Sequence, residues 1–420
     1  MDKNDNSIFK GMKKSGFLVV LMSLVVMFTV GCKGDDPDPV WHATPYVFDI
    51  PVGFPTNLNI PSDNPMTVEG IELGRHLFYD GRLSGRTHPD SLMTCATCHR
   101  QSRAFDLGVD HPVYNDPDGR PWGLTGQKTP HTVLSLVNLV WNHQGYMWNG
   151  VVSKDNTMLG SPAHDVPPLP EYHWNNIESV VWLAIVDPHE IVGHPDRTVA
   201  LLSTVTDPDY PAMFEQAFGT PEITYDRISK AIGQFIRTIV SSNSTAHKAW
   251  RGEANFTDAE RMGWMLFMTE EGADCFHCHG GDGSPLMTTH LFYNNAKDTC
   301  FVGVCANPRD RYSVTKNDRD RGAFKAPTLI NVEHTGPYMH DGRFRTLDEV
   351  IQFYNSGLKY SEYAHPLMHK LFPPYSNGMN LNPVQLQQLK AFLLSLTDNE
   401  LLTDPKYSNP RPDNPFFIQW

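Results

Sequence analysis

The chain lacks several features that would narrow its class. It has no basic tract, and its formal net charge is −13. Both argue against a nucleic-acid partner. Strand signals are sparse, which leaves a mainly helical fold with long loops as the expectation. Long apolar runs are absent but for residues 17–31, and that run is too short for a comfortable membrane span. Cysteine is scarce, with seven in 420 residues. No third C-x-x-C exists to complete a zinc set with the two that are present.

Those two are Cys95-Ala-Thr-Cys98-His99 and Cys275-Phe-His-Cys278-His279. Each reads C-x-x-C-H, which in an exported protein is the attachment site of a c-type haem. The thiols of each pair form thioethers to the porphyrin vinyls, and the adjoining histidine gives an imidazole to one face of the iron. Two covalently bound haem c groups are therefore expected, with His99 and His279 as proximal ligands.

Export is legible at the start. Lys3, Lys10, Lys13 and Lys14 precede the apolar run, as in a signal peptide. The run ends at Thr29-Val-Gly-Cys32, which resembles a bacterial lipobox, with Thr29 where leucine is preferred. Lipid on Cys32 would anchor an otherwise soluble protein to the cell envelope, in the periplasm or on the outer surface. The alternative is a cysteine that merely follows a signal peptide. Residues 1–31 then form the leader and 32–45 a solvated tether. Cys300 and Cys305 remain. In an oxidising compartment they either close their loop as a disulfide or stay as two thiols.

Laying one haem motif over the other exposes an internal repeat. Leu73-Gly-Arg-His-Leu-Phe78 pairs with Met262-Gly-Trp-Met-Leu-Phe267, each reading as the last turns of a helix. The segment from Thr129 to Asn138 pairs with that from Ala326 to Val332. Tyr146-Met-Trp-Asn-Gly150 pairs with Tyr338-Met-His-Asp-Gly342. Ile177-Glu-Ser-Val-Val181 pairs with Leu347-Asp-Glu-Val-Ile351. The expected architecture is two tandem cytochrome c-like haem domains related by duplication, 46–254 and 255–402, with a surface tail at 403–420. Ile228, Ile232, Phe235, Ile236 and Ile239 share a helical face closing the first domain. Thr257 ahead of Glu260 reads as a capping box, and a helix starts at Asn382-Pro383.

The repeat informs most where it fails. Leu347, Val350, Ile351 and Tyr354 share a face, so Tyr354 points inward; its counterpart in the first half is Ala184. A phenol oxygen binds ferric iron and a methyl group does not. Tyr354 is then either a second ligand beside His279 or a core aromatic. The first half carries an extra loop, Ile185 to Ile191. There Glu190 can move a proton between the oxygens of bound peroxide, with His189 and His194 as alternative bases or ligands. Trp148 replaces the repeat's His340 and is either an electron relay between the irons or a packing residue.

From about Pro65 to Leu402 the sequence resembles the bacterial di-haem cytochrome c peroxidase family, which includes the MauG-type enzymes. The carriers are the segment from Leu73 to Asp80, both C-x-x-C-H motifs, the segment from Phe324 to Val332, and Tyr338-Met-His-Asp-Gly-Arg343. The resemblance implies an active site at the first haem, with Glu190 as the distal acid–base residue. It implies electron entry at the second haem, with Tyr354 at the position that is methionine in typical peroxidases and tyrosine in MauG-type members. Trp148 matches the family's inter-haem tryptophan. Three departures stand out. The glutamine that helps hold peroxide falls at Val180. The asparagine of an inter-haem calcium site falls at Lys128, opposite carbonyl positions Thr335 and Pro337, which disfavours calcium. An insertion occupies residues 151–176. His111 lies where some members keep a switchable histidine, though the local match is poor.

The expected function is reduction of hydrogen peroxide to water with electrons from a small cytochrome or other envelope carrier. One alternative is MauG-like oxidation of a protein or organic substrate, which an anionic Tyr354 ligand favours. Another is a non-catalytic electron-transfer or haem-sensing lipoprotein, which Val180 favours and Glu190 opposes. Family members are often dimers, but no homodimer interface is legible in the chain.

Overall fold

Apolar residues recur at helical spacing, and polar side chains close the helix starts, so short helices dominate. The computed structural model describes residues 41–111, 119–153, 176–191, 193–280, 284–303 and 309–418. Among the described residues are eleven α-helices. They are α1 (Val68–Tyr79), α2 (Cys95–Cys98), α3 (Ile177–Val186), α4 (Pro195–Leu202), α5 (Tyr210–Phe218), α6 (Tyr225–Arg237), α7 (Thr245–Trp250), α8 (Asp258–Phe267), α9 (Arg311–Thr315), α10 (Leu347–Ser356) and α11 (Pro383–Ser395). The strands among the described residues, β1 (Phe292–Tyr293) and β2 (Phe324–Lys325), pair antiparallel with Phe292 opposite Lys325. The mainly helical expectation holds. No helix among the described residues is long and apolar enough to cross a membrane.

Several starts fall where their residue types require. Thr257 caps α8, accepting from the Glu260 N–H at 3.3 Å, while Glu260 Oε2 accepts from the Thr257 N–H at 2.7 Å. Asn382 caps α11, with Pro383 in its first turn. In α6 the residues Ile228, Ile232, Phe235 and Ile236 are buried together. Ile239 differs from expectation only in lying past the end of α6, and it is still fully buried.

The two halves pack alike. Helix α1 lies against α6, and α8 against α11. Each contact turns on a glycine. A Cβ on Gly74 would stand 1.9 Å from the Ala231 carbonyl oxygen, and one on Gly263 would stand 1.9 Å from that of Gln388. Helix α3 is held to α6 by a buried pair in which Arg237 Nη1 and Nη2 each donate to a Glu178 carboxylate oxygen at 2.7 Å. One hydrophobic core gathers Leu73, Leu77, Phe78, Ile232 and Phe235; a second gathers Phe267, Ile330, Ile351, Leu389 and Phe392. The C-terminal tail does more than line the surface. It places Tyr407 and Phe417 in the first core, and the Tyr79 hydroxyl donates to the Tyr407 carbonyl at 2.7 Å.

The leader, Cys32, Cys305 and most of the 151–176 insertion lie outside the described residues. Cys300 is disulfide-bonded.

Candidate active site

The first C-x-x-C-H motif is a single helical turn tied to the end of α1. The Thr94 hydroxyl donates to the Phe78 carbonyl at 2.8 Å, and the Thr94 N–H donates to the Thr97 hydroxyl at 3.0 Å. The turn places His99 with Nδ1 2.8 Å from the Phe105 carbonyl oxygen. A carbonyl can only accept, so Nδ1 carries the proton and Nε2 keeps its lone pair. Burial lowers the His99 pKa to about 4, which leaves the imidazole neutral, the form that binds a metal. The second motif repeats the arrangement. His279 Nδ1 donates to the Pro327 carbonyl at 3.0 Å, and burial again lowers the pKa to about 4.

A cavity of about 270 Å³ opens on the first motif. Its walls include Cys95, Cys98, His99, Trp148, Ala184 and Glu190. Val180, at the family's glutamine position, also lines it, as does His189. Helix α3 ends at Asp187, whose backbone carbonyl accepts from the Glu190 N–H at 3.0 Å. The Glu190 carbonyl in turn accepts from the Leu124 N–H at 3.0 Å. That loop passes so close to Gly123 that a Cβ there would meet the His189 carbonyl group at 2.4 Å. Glu190 thus faces the cavity from a fixed backbone. Burial, with a smaller contribution from the Asp187 carboxylate, pushes its pKa up to about 8. His189 Nδ1 is engaged by Asp187 Oδ1 at 2.8 Å. His194 is exposed at the start of α4.

The residues present fit haem c at both motifs. Cys95, Cys98, Cys275 and Cys278 are free thiols. Burial pushes the Cys95 and Cys278 thiols up to about 12, so both are protonated in the protein without haem. No cluster of metal-binding side chains occurs among the described residues. The cavity lining also holds buried nitrogens that a polar cofactor edge can meet. Nε2 of His131 and Nε2 of His290 have no hydrogen-bond partner. Lys325 Nζ, also buried, donates to the His290 carbonyl at 2.7 Å.

Trp148 is a cavity wall and an anchor at once. Its Nε1–H donates to the Thr132 carbonyl at 2.9 Å. Thr132 is bound to the second half through the His340 carbonyl at 2.9 Å and the Met339 carbonyl at 2.9 Å. The Trp148 and His340 rings lie 6.4 Å apart, edge to face.

Tyr354 lies on α10, as its spacing requires, and packs against the second core, as do Cys275 and Phe276. Its hydroxyl accepts from Asn295 Nδ2 at 3.0 Å. Burial raises the phenol pKa, and the nearby Cys278 and Cys275 thiols add to the effect. His111 is buried with Nε2 2.9 Å from the Thr97 carbonyl oxygen, against the backbone of the motif turn. The Lys128 ammonium lies 4.9 Å from the Trp122 ring centroid. The Thr335 hydroxyl donates to the Val332 carbonyl at 3.4 Å, and Pro337 packs against Gly119.

Sequence reasoning passed over His131, His290, Lys325 and Asn295. A charged Lys325 between Phe324 and Ala326 was the available signal. Asn295 gave none, since a loop asparagine has many uses.

The sequence profile described as "Di-haem cytochrome c peroxidase" matches residues 68–255. A cytochrome-c peroxidase, IdrP1, of Denitromonas iodatirespirans is 29% identical over 383 residues, covering 85% of this chain and 89% of that one. The methylamine utilization protein MauG of Methylophilus methylotrophus is 26% identical over 348 residues, covering 83% and 88%. Among solved structures, a MauG-like protein associated with microbial copper homeostasis superposes with a TM-score of 0.67 at 29% identity, covering 87% of this chain and 99% of that one. Residues 68–255 thus match the di-haem cytochrome c peroxidase model, and most of the chain is similar to proteins named cytochrome-c peroxidase and MauG, a family of peroxidase-type oxidoreductases with covalently bound haem c.

Proposed function

We propose that the protein reduces hydrogen peroxide to water at the first motif, with electrons entering at the second from a small cytochrome or similar envelope carrier. The reaction balances as peroxide, two electrons and two protons giving two waters. The observation that carries this reading is the shared cavity: Glu190 faces the same space as Cys95, Cys98 and His99, and Ala184 places no ligating side chain there. Haem, when bound, supplies the redox chemistry at the O–O bond. Glu190 takes the proton from one peroxide oxygen and returns it to the other. A pKa near 8 suits both transfers, because neither form is far out of reach at neutral pH. Trp148 serves as the electron relay, a role supported by its place on the cavity wall and by the hydrogen bond its carbonyl accepts from the Lys325 N–H. Val180 offers no hydrogen bond, so peroxide is held there by fewer polar groups than the family's glutamine provides.

MauG-like oxidation of a larger substrate is the second reading, favoured by Tyr354 beside Cys275 and Cys278. Adding hydrogen peroxide to the fully ferric holoprotein and following its spectrum separates the two. A rapid change without prior reduction supports the MauG-like reading. A change only after one haem is reduced supports the reductively activated peroxidase. No reaction in either state removes both and leaves electron transfer.

The matched packing of Gly74 and Gly263 supports an origin of the two halves by duplication. Lipid on Cys32 and a Cys300–Cys305 bridge complete the reading for the cell envelope.

A further inference from the structure

We propose that Asn295 is a positioning residue that sets how strongly Tyr354 donates to the second iron, an inference that rests on Tyr354 being a ligand. Asn295 Nδ2 stands 3.0 Å from the Tyr354 hydroxyl and 3.5 Å from Met339 Sδ. The amide is held by a rigid turn. Asn294 Nδ2 donates to the Arg321 carbonyl at 2.9 Å, and Asn294 Oδ1 accepts from the Ala296 N–H at 3.0 Å. Ala296 is fully buried with φ of 61°, a left-handed conformation that a non-glycine residue keeps only when its surroundings enforce it.

A ligating phenolate oxygen can accept hydrogen bonds but not donate them. The side chain aimed at it must therefore present a donor, and the amide nitrogen does so. The amide nitrogen carries two N–H groups, so it donates to the Tyr354 oxygen at 3.0 Å and also to the Met339 thioether, a weak acceptor, at 3.5 Å. A hydrogen bond to an anionic oxygen is among the stronger kinds. It draws electron density from that oxygen and weakens its donation to iron. Without it, Tyr354 donates more strongly, the ferric state gains over the ferrous, and phenolate-to-iron charge transfer needs less energy.

The test uses the holoprotein with Asn295→Leu, which keeps side-chain bulk and removes the donor, and Asn295→Ala as a second variant in case the first does not fold. Tyr354→Phe is the ligand control. The readouts are the phenolate charge-transfer band of the ferric protein and the midpoint potential of the second haem. In either Asn295 variant the band is expected to persist and move to longer wavelength, and the potential to fall. Loss of one charge-assisted hydrogen bond is worth about tenfold in ferric preference, or ~59 mV for a one-electron couple. If Tyr354→Phe abolishes the band but both Asn295 variants leave band and potential in place, the proposal fails and ligation stands. A band lost in both Asn295 variants, with the potential rising, reduces Asn295 to structural support and also overturns it. A Tyr354→Phe protein with an unchanged ferric spectrum removes the ligation reading itself.

Discussion

Trp148 and His279 are joined by one short stretch of β2 and its continuation. The Trp148 carbonyl accepts from the Lys325 N–H at 2.8 Å, and beyond Ala326 the Pro327 carbonyl accepts from His279 Nδ1 at 3.0 Å. The wall of the first cavity is thus hydrogen-bonded to the backbone that orients His279.

That arrangement offers an electron either the indole ring or the backbone, and Trp148→Phe separates them. The variant keeps the backbone hydrogen bond and loses the indole. Electron transfer between the haems is expected to slow on the order of tenfold, equivalent to ~1.4 kcal/mol on the barrier. Stopped-flow reduction of the second haem, followed by appearance of reduced first haem, reads the rate. An unchanged rate would assign conduction to the backbone.

Glu190→Gln is expected to lower peroxide turnover by roughly 10²–10⁴-fold, the usual worth of a positioned acid–base group, with both haem spectra retained. The wild-type rate should climb with pH and level off above about 8, as the carboxylate that accepts the first proton becomes populated. In the variant the profile should be flat. A variant with wild-type turnover would take Glu190 out of the chemistry.

Stability carries the opposite sign. The folded Glu190 pKa lies above its unfolded value, so its contribution is complete below the unfolded carboxyl range and is lost as pH rises through about 8. Melting curves of wild type and Glu190→Gln should therefore agree best at acid pH, diverge in favour of the variant as pH rises from the ordinary carboxyl range to about 8, and keep a constant offset above it. The ionisation that turns on proton transfer also loosens the fold. Parallel melting temperatures across that range would contradict the burial of this carboxyl.

Arg237→Met leaves the Glu178 carboxylate buried without its partner, and both side chains are almost wholly shielded from solvent. Removing one member of such a pair costs about 3–5 kcal/mol. Helix α3 carries Val180 and Ala184 on the cavity wall, so haem retention at the first motif should fall together with the denaturation midpoint. A denaturant series with haem absorbance as a second probe measures both.

Gly74→Ala and Gly263→Ala should each destabilise by about 1–3 kcal/mol or more, because the new methyl meets backbone rather than a movable side chain. The first should loosen α1 against α6, and the second α8 against α11. Hydrogen exchange resolved by segment distinguishes them.

Much of this was legible in the sequence, for identifiable reasons. Covalent chemistry fixes the spacing of Cys95, Cys98 and His99, so the motif is readable without a fold. Thr257 and Glu260 announce the start of α8 because a cap is a local hydrogen-bond device. Tyr354 could be placed on an inward face because helical periodicity places it there. Glu190 was found by position, but its raised pKa comes from a cavity built by segments distant in the chain. The orphaned nitrogens of His131 and His290 were hidden for the same reason. No local pattern distinguishes a satisfied buried histidine from an unsatisfied one. Asn295 meets Tyr354 across a separation of 59 residues, beyond any periodic signal.

The seating of Tyr407 and Phe417 in the first core makes that half depend on chain far removed in sequence. The Tyr407 hydroxyl donates to the Thr238 carbonyl at 2.7 Å, and Gln101 Nε2 donates to the Leu401 and Asp404 carbonyls at 3.0 and 2.9 Å. The first half is finished by residues 300 and 303 positions further along the chain. Removing the segment from Tyr407 onward would uncover the first core while leaving every residue of its haem motif in place.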